Sequence, residues 1–294
     1  MPSGIIVIDK PQGLTSNGTL QRVRKAFGAR SAGHVGTLDP MATGMLPLCL
    51  DEATKIIAEV ESGAKCYEFT VQLGARTDTG DAEGEIVERL PIPALAAATI
   101  EPALLQFRGV QTQVPPMYSA LKRNGRPLYE LARQGVEVER AARTIDIRRL
   151  ELVAFRPDAL DLVCECAKGT YIRVLGEDIA QRLGTGGHLT RLRRTWVEPF
   201  RGLPMHSLES ALTGAANVGQ GLLPADAALQ GLPQAWLTEA QVAAVRQGRT
   251  VACATDVAVE PGRRARIYAP GGVFLGLAEV LADGRLQPRR LLLS

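Results

Sequence analysis

A short loop with one acid at its centre holds the residue best suited to chemistry in this sequence. The loop spans residues 33–44, contains three glycines and a proline, and places Leu38 and Met41 beside Asp39. Glycine and proline together favour a loop of fixed shape. An aspartate before a proline is often only a turn residue that hydrogen-bonds its own backbone. The apolar neighbours and the strand-like run 45–50 instead predict an acid at the lip of a buried sheet, where catalytic groups often lie.

A cation that could complete such a site stands far along the chain, at Arg173. The pattern predicts a strand over residues 160–167 and a helix that begins near Tyr171, so Arg173 falls in the first helical turn. A cation there opposes the helix dipole, which indicates a specific partner. Asp39 is our candidate, because a bidentate arginine offsets the cost of burying a carboxylate and favours its ionised form. The alternative is an ordinary surface salt bridge.

An aromatic side chain begins a strictly alternating strand that we predict over residues 65–73. Tyr67 shares one face of this strand with Phe69, Val71 and Leu73. This periodicity is typical of a core aromatic residue. Because Tyr67 is first in the row, its ring could also lie half in the core and half in a cleft.

Two further motifs suggest other chemistry, which the rest of the sequence does not support. Ser119 and Lys122 have the Ser-x-x-Lys spacing of penicillin-binding proteins, but the Ser-Asp-Asn and Lys-Thr-Gly triplets of that class are absent. The acidic segment 78–85 resembles a calcium loop, yet its acids do not alternate as such a loop requires. The three histidines are dispersed and no Cys/His pairs have metal spacing, so we predict no metal site.

The elements that must position these residues follow from hydrophobic patterning. A buried strand is predicted over residues 4–8, followed by a helix that Ser16 or Asn17 could cap. Farther along the chain, the run 189–197 alternates between apolar and basic residues. We expect its arginines, including Arg194, to face outward.

Length and composition indicate a globular protein with one large and one small domain, or with two domains. The 294 residues are 46% hydrophobic and 22% charged, which is ordinary for a folded soluble chain. No apolar run approaches the length of about 20 residues that spans a bilayer, and we predict no secretory signal. Five scattered cysteines argue against a disulfide framework and fit a reducing cytoplasm.

The carboxy-terminal segment 234–294 differs from the rest of the chain in both charge and pattern. It holds eight arginines, no lysine and five acids, so it accounts for the whole net charge of +3. Short strands separated by glycine turns predict a small β-barrel. A basic domain of this kind suggests a polyanionic partner.

The loop sequence itself is similar to that of a known family. Gly-Thr-Leu-Asp-Pro-Met-Ala-Thr-Gly, at residues 36–44, closely resembles the signature loop of the bacterial tRNA pseudouridine-55 synthases, the TruB family. The Asp-Lys-Pro-Gln-Gly-Leu-Thr-Ser run at residues 9–16 matches a second motif. The resemblance covers nearly the full length and is strongest over residues 4–55, 65–85, 115–135 and 167–197.

The resemblance implies an α+β fold and a division into two domains. Residues 1–233 would form a pseudouridine-synthase catalytic domain with a mixed, mainly antiparallel central sheet flanked by helices. An insertion at about 115–143 would clamp the RNA. Residues 234–294 would form a small PUA-like β-barrel that binds RNA.

The resemblance also implies roles for individual residues. Asp39 would be the catalytic nucleophile, paired with Arg173. The pocket for the target base would be formed by Tyr67, Tyr171 and Leu192. His34 would lie at the entrance for the RNA loop, and Lys10 would pack its own loop near the site.

The function implied by the resemblance is that of an isomerase, a tRNA pseudouridine(55) synthase. It would convert uridine to pseudouridine in the T loop of tRNA, after the target base has been flipped out of the folded loop. We expect no cofactor, no metal and no membrane partner, and a cytoplasmic monomer that binds the T stem-loop. A non-catalytic tRNA-binding or RNA-folding protein of the same fold remains the alternative, because it would need no Asp39.

Overall fold

A nine-stranded sheet forms the centre of the protein in a computed structural model that describes residues 3–123, 125–214, 221–252 and 260–292. Seventeen strands are present in the described part of the chain. In chain order they are β1 Gly4–Lys10, β2 Ala32–His34, β3 Thr43–Leu50, β4 Lys65–Leu73, β5 Ala75–Thr77, β6 Ile86–Arg89, β7 Gly109–Gln113, β8 Lys122–Arg123, β9 Arg126–Pro127, β10 Arg143–Arg156, β11 Ala159–Cys166, β12 Gly187–Val197, β13 His206–Ser207, β14 Gln234–Trp236, β15 Arg264–Tyr268, β16 Phe274–Val280 and β17 Leu286–Leu291.

Seven α-helices and two short 3₁₀ helices complete the described secondary structure. The α-helices are α1 Ser16–Ala26, α2 Ile57–Val60, α3 Ala97–Leu105, α4 Leu128–Ala132, α5 Ile172–Arg182, α6 Leu208–Gly214 and α7 Glu239–Arg246. The 3₁₀ helices span Asp51–Ile56 and Ala225–Leu229. No helix in the described ranges combines the length and the apolar character needed to cross a membrane.

The central sheet is mixed and mainly antiparallel, as predicted. Its strand order is β13-β1-β3-β12-β4-β11-β10-β7, and β2 pairs with β3 beside this path. Only the β1–β13 and β3–β12 pairs of this described sheet are parallel. The parallel pairing of β3 with β12 joins Thr43 and Gly44 to Arg193 and Arg194. The end of the Asp39 loop is therefore attached directly to a strand that lies about 150 residues later in the chain.

Apolar side chains cover the sheet on both faces, which explains why β1 is almost continuously hydrophobic. Ile6 and Ile8 belong to a core shared with helices α1, α3, α5 and α6. Ile5 and Val7 point to the opposite face and pack in a second core with residues of the two 3₁₀ helices. A strand that is buried on both faces needs apolar residues at successive positions rather than at alternate ones.

The first helix begins one residue earlier than the sequence suggested. Thr15 is its N-cap, and its side chain accepts a hydrogen bond from the Gly18 N–H at 2.9 Å. The prediction that Ser16 or Asn17 caps this helix was therefore wrong. The Ser16 hydroxyl instead accepts from the Leu38 N–H at 2.7 Å and donates to the Leu38 carbonyl at 2.9 Å. This exchange fixes the backbone next to Asp39.

The carboxy-terminal strands form a separate sheet in the order β14-β15-β16-β17, with its own small core. Leu277 of this sheet also packs in the second core, beside Ile5 and Val7 of the central sheet. The Lys55 ammonium donates to the Leu291 carbonyl at 2.9 Å, which adds a polar contact between the two parts. Closure of this sheet into a barrel and the division at residue 234 remain predictions.

Candidate active site

The acid predicted to do the chemistry lies in the connection between β2 and β3. Leu38, Met41 and Ala42 are buried and anchor this loop in the core. The Asp39 side chain is 34% exposed, so its carboxylate lies at the surface of a cleft rather than deep in the protein. The loop therefore exposes one carboxylate to solvent, while its buried apolar residues hold it in place.

The predicted pairing of Asp39 with Arg173 is present in the structure. The Arg173 Nε donates to Asp39 Oδ2 at 2.9 Å, across 134 residues of sequence. Its two terminal nitrogens donate to the carbonyls of Thr79 and Tyr118, both at 2.7 Å. Because the Arg173 side chain is only 4% exposed, these three bonds fix the guanidinium in one orientation.

A second carboxylate beside this pair was not anticipated from the sequence. Asp81 Oδ2 lies 3.6 Å from Arg173 Nε, and the Asp81 side chain is as buried as that of Arg173. Its other oxygen accepts hydrogen bonds from the Thr79 hydroxyl at 2.7 Å and the Glu83 N–H at 3.1 Å. One guanidinium therefore meets two acids, of which only Asp39 reaches the cleft.

A cavity of about 640 Å³ opens next to Asp39 and Arg173. Its volume lies within the range of about 300–1,000 Å³ that is typical of ligand pockets. Three residues predicted to surround the target base contribute to its wall, namely Tyr67, Tyr171 and Leu192. The structure therefore brings five of the predicted site residues together around one hollow.

The two tyrosines on the cavity wall are held in different ways. Tyr67 is buried on β4, and burial is the main cause that raises the pKa of its phenol to about 12. Tyr171 is the half-buried N-cap residue of α5, and burial likewise raises its pKa. The Gln113 side-chain amide fixes the Tyr171 backbone, since it accepts from the N–H at 2.8 Å and donates to the carbonyl at 3.1 Å.

Lys10 and His34 lie next to the site but outside the lining of the cavity. The fully buried Lys10 ammonium donates to the carbonyls of Pro11, Leu14 and Pro40 at 2.9, 2.5 and 3.2 Å. Lys10 thus ties its own loop to the residue that follows Asp39. His34 is half-buried on β2, and its Nδ1 has no hydrogen-bond partner among the described residues.

Lys10 leads to a prediction about the pH dependence of folding stability. Burial lowers its pKa from 10.5 to about 8 in the folded protein. Between these two values the unfolded chain binds the proton and the folded chain does not, so the stability from this group rises with pH. From about pH 7.5 to about pH 9.5, the wild-type free energy of unfolding should therefore rise relative to that of Lys10→Met, because methionine has no group that titrates.

Urea unfolding of both proteins at the two pH values measures this difference. Subtracting the Lys10→Met curve from the wild-type curve removes the contributions of other titrating groups. A difference that stays constant, or that falls as the pH increases, would contradict the assignment of a buried, desolvated ammonium to Lys10.

The burial of Arg194 contradicts the sequence prediction. Arg194 was expected to face outward, yet it is fully buried and contributes to the cavity lining. Arg193 and Arg194 are adjacent in β12, so their side chains point to opposite faces of the sheet. Arg194 shares the face of Leu192, since these residues pair with Tyr67 and Phe69 of β4 without a register shift between them.

Family models and known proteins match this sequence over nearly its whole length. The model described as the N-terminal domain of TruB family pseudouridylate synthases matches residues 24–172. Two TruB carboxy-terminal models match residues 173–230 and 233–292. The tRNA pseudouridine synthase B of Aromatoleum aromaticum is 47% identical over 98% of this chain and 92% of its own length.

The chain belongs to the TruB family of pseudouridylate synthases. It is therefore an enzyme, an isomerase that rearranges bonds within its substrate. A second TruB relative, the tRNA pseudouridine synthase B of Pseudomonas fluorescens strain Pf0-1, is 46% identical over 99% of this chain and 96% of its own length. The resemblance inferred from the 36–44 loop thus extends over essentially the whole protein.

A solved structure has the same fold as this chain. A chain in the crystal structure of a Cbf5-Nop10-Gar1 complex superimposes with a TM-score of 0.74 at 22% identity. The match covers 99% of this chain and 85% of the other.

In the described ranges, no group of three or more His, Cys, Asp or Glu side chains is arranged to hold a metal ion.

Proposed function

We propose that this TruB-family enzyme converts uridine to pseudouridine at position 55, in the T loop of tRNA. The observation that carries the proposal is the Asp39–Arg173 ion pair of 2.9 Å at the edge of a cavity lined by Tyr67 and Tyr171. The relatives named tRNA pseudouridine synthase B supply the substrate class, because they align over nearly the whole chain.

The cavity favours a substrate whose target base is flipped out and no longer stacked on its neighbours. An RNA base inside a folded loop must be flipped out before an enzyme can act on it, which costs a few kcal/mol. Stacking on an aromatic side chain returns about 1–3 kcal/mol per base. Tyr67, Tyr171 and Leu192 offer such a wall, and the phenol of Tyr67 stays protonated at neutral pH because its pKa is about 12.

Asp39 is the nucleophile in this proposal. Its carboxylate attacks either the sugar carbon or the base of the flipped nucleotide. The bond from C1′ to N1 breaks, the uracil rotates, and a new bond forms from C1′ to C5. The proton on C5 is lost and N1 gains one, so atoms and electrons balance without an oxidant, a reductant or a cofactor. Arg173 holds the carboxylate in position at the start and accepts it back at the end.

The insertion at residues 115–143 is the proposed clamp on the RNA. It contacts the active site directly, because the carbonyl of Tyr118 accepts from the buried guanidinium of Arg173 at 2.7 Å. Its exposed basic residues include Arg123 and Arg126, which are suited to phosphate contacts. RNA read through a splayed loop fits the usual mode of sequence-specific RNA recognition. We further propose that the enzyme works as a cytoplasmic monomer.

Chemical mapping of pseudouridine in an unmodified tRNA transcript tests the proposal. The purified enzyme should modify uridine 55 and leave the other uridines unchanged. A transcript with cytidine at position 55 is the matched control and should show no modification. Modification at another position would contradict the site assignment. Tight binding without any modification would favour the alternative, a non-catalytic RNA-binding or RNA-folding protein.

A further inference from the structure

The fully buried Arg194 contacts several backbone carbonyls of the loop that carries Asp39. Its Nε donates to the Met45 carbonyl at 2.8 Å, and its Nη2 donates to the Gly36 carbonyl at 3.0 Å. Longer contacts of 3.4 and 3.5 Å reach the carbonyls of Thr37 and Val35. Within the described ranges, no carboxylate lies at ion-pair distance from this guanidinium, in contrast to Arg173. Backbone dipoles of this loop and of Met45 in β3 therefore solvate a buried positive charge.

Two glycines of the same loop pack directly against Arg194. Gly36 has a φ of +77°, and a Cβ added to it would lie 3.1 Å from Arg194 Nη1. Gly44 has a φ of +100°, and its Cβ would lie 2.2 Å from the Arg194 carbonyl oxygen. A side chain at position 36 would be tight against the Arg194 guanidinium, and one at position 44 would clash with the Arg194 backbone. The guanidinium therefore constrains the loop at Gly36, on the N-terminal side of Asp39.

Arg194 also contacts the aromatic wall of the cavity. In the antiparallel pairing of β12 with β4, Arg194 lies directly opposite Tyr67. The positive charge of Arg194 acts on the pKa of the Tyr67 phenol in the direction opposite to burial, and both residues line the same cavity. A single buried side chain therefore bonds the loop of the proposed nucleophile and lies next to the ring proposed to stack on the base.

We propose that Arg194 is a positioning residue that sets the distance between the Asp39 loop and Tyr67 for the isomerisation. This inference rests on the proposed function and adds to it a residue that need not touch the substrate. The planar guanidinium offers five N–H groups in a fixed fork, whereas a lysine ammonium is a compact point charge with three. Lysine could replace the charge of Arg194 but could not bond carbonyls on both sides of Gly36 and reach Tyr67 at once.

The direct test compares Arg194→Lys with a control at the neighbouring residue, Arg193→Lys. Arg193 is half-buried and pairs with Asp9 at 2.8 Å, outside the cavity lining. On saturating tRNA, the single-turnover rate of Arg194→Lys should fall about 100-fold, the loss expected from a displacement of about 1 Å. The dissociation constant for tRNA should change less than about threefold, because the Arg194 side chain is fully buried and bonds backbone carbonyls of the protein rather than phosphates. Arg193→Lys should keep a rate within about threefold of wild type.

A second pair of variants leaves Arg194 in place and so does not depend on how its replacement folds. Gly36→Ala and Gly28→Ala both put a side chain at positive φ, but only the one at position 36 would press on Arg194, since nothing lies within 4 Å of a Cβ at Gly28. Gly36→Ala should lower the single-turnover rate at least about tenfold more than Gly28→Ala, with tRNA affinity retained.

The outcomes separate this inference from the proposed function. If the wild-type enzyme forms no pseudouridine, the proposed function is wrong. If the wild type is active and a folded Arg194→Lys turns over at the wild-type rate, only the positioning role is refuted. Equal rates for Gly36→Ala and Gly28→Ala would refute the positioning role as well. A fall in tRNA affinity that accounts for the whole loss of activity would also overturn it.

Discussion

Replacing Asp39 with asparagine should abolish pseudouridine formation, with a loss of at least about 10⁴-fold in the single-turnover rate. Removing the nucleophile of a catalytic triad in a protease costs about 10⁶-fold, which sets the scale for a covalent mechanism. Asparagine has nearly the same shape as aspartate but carries no negative charge, so it cannot attack the substrate. The fold should survive, because Arg173 keeps Asp81 and the carbonyls of Thr79 and Tyr118 as partners.

Tritium release measures this loss directly, because the proposed reaction removes the hydrogen on C5 of the uracil. The substrate is tRNA labelled with tritium at that carbon, and binding of the same tRNA is measured in parallel. Asp158→Asn is the matched control, since Asp158 is an exposed acid in the hairpin between β10 and β11, remote from the cavity lining. Equal release by wild type and Asp39→Asn would defeat the nucleophile assignment, because the reaction would then proceed without this carboxylate.

The central ion pair could be predicted because each partner is unusual in its own local context. Asp39 is an acid among apolar residues, and Arg173 is a cation at the positive end of a helix dipole. Each charge is unfavourable in its own surroundings unless a group of opposite charge lies close to it. The two could therefore be paired without knowing how the chain between them folds, although they stand 134 positions apart.

Arg194 could not be predicted in the same way, because its environment is set by the register of two strands. An arginine in an alternating strand is normally an outward-facing residue. The groups that receive Arg194 on the buried face depend on the pairing of β12 with β4, which is formed from residues more than a hundred positions earlier. The available signal was the adjacency of Arg193 and Arg194, since neighbouring residues of a strand face opposite sides and both could not point outward.

Asp81 was missed for a related reason. The segment 78–85 reads as a polar, glycine-rich turn, and the Thr79 hydroxyl and Glu83 N–H do form a local turn around one Asp81 oxygen. The local turn sequence therefore accounts for the hydrogen bonds of that Asp81 oxygen. The other oxygen faces Arg173 only because the turn packs against the start of α5, a contact that no local pattern encodes.

Replacing Arg173 with methionine should damage both stability and activity. Removing one partner of a buried ion pair costs about 3–5 kcal/mol, because the remaining charge is left uncompensated. Here that charge is Asp81, whose side chain is only 4% exposed, whereas Asp39 can still reach water. The single-turnover rate should fall about 10³-fold or more, because the carboxylate of Asp39 loses the group that orients it.

The double variant Arg173→Met/Asp81→Asn separates the two effects. Neutralising Asp81 removes the buried unpaired charge, so urea unfolding should recover most of the stability lost in Arg173→Met. The rate should not recover, because Asp39 still lacks its partner. Arg173→Lys is the intermediate case: it keeps a charge, but lysine cannot bond Asp39, Thr79 and Tyr118 with the geometry of the guanidinium. If the double variant regained activity together with stability, Arg173 would serve only to hold the fold, and the ion pair could not be the element that positions the nucleophile.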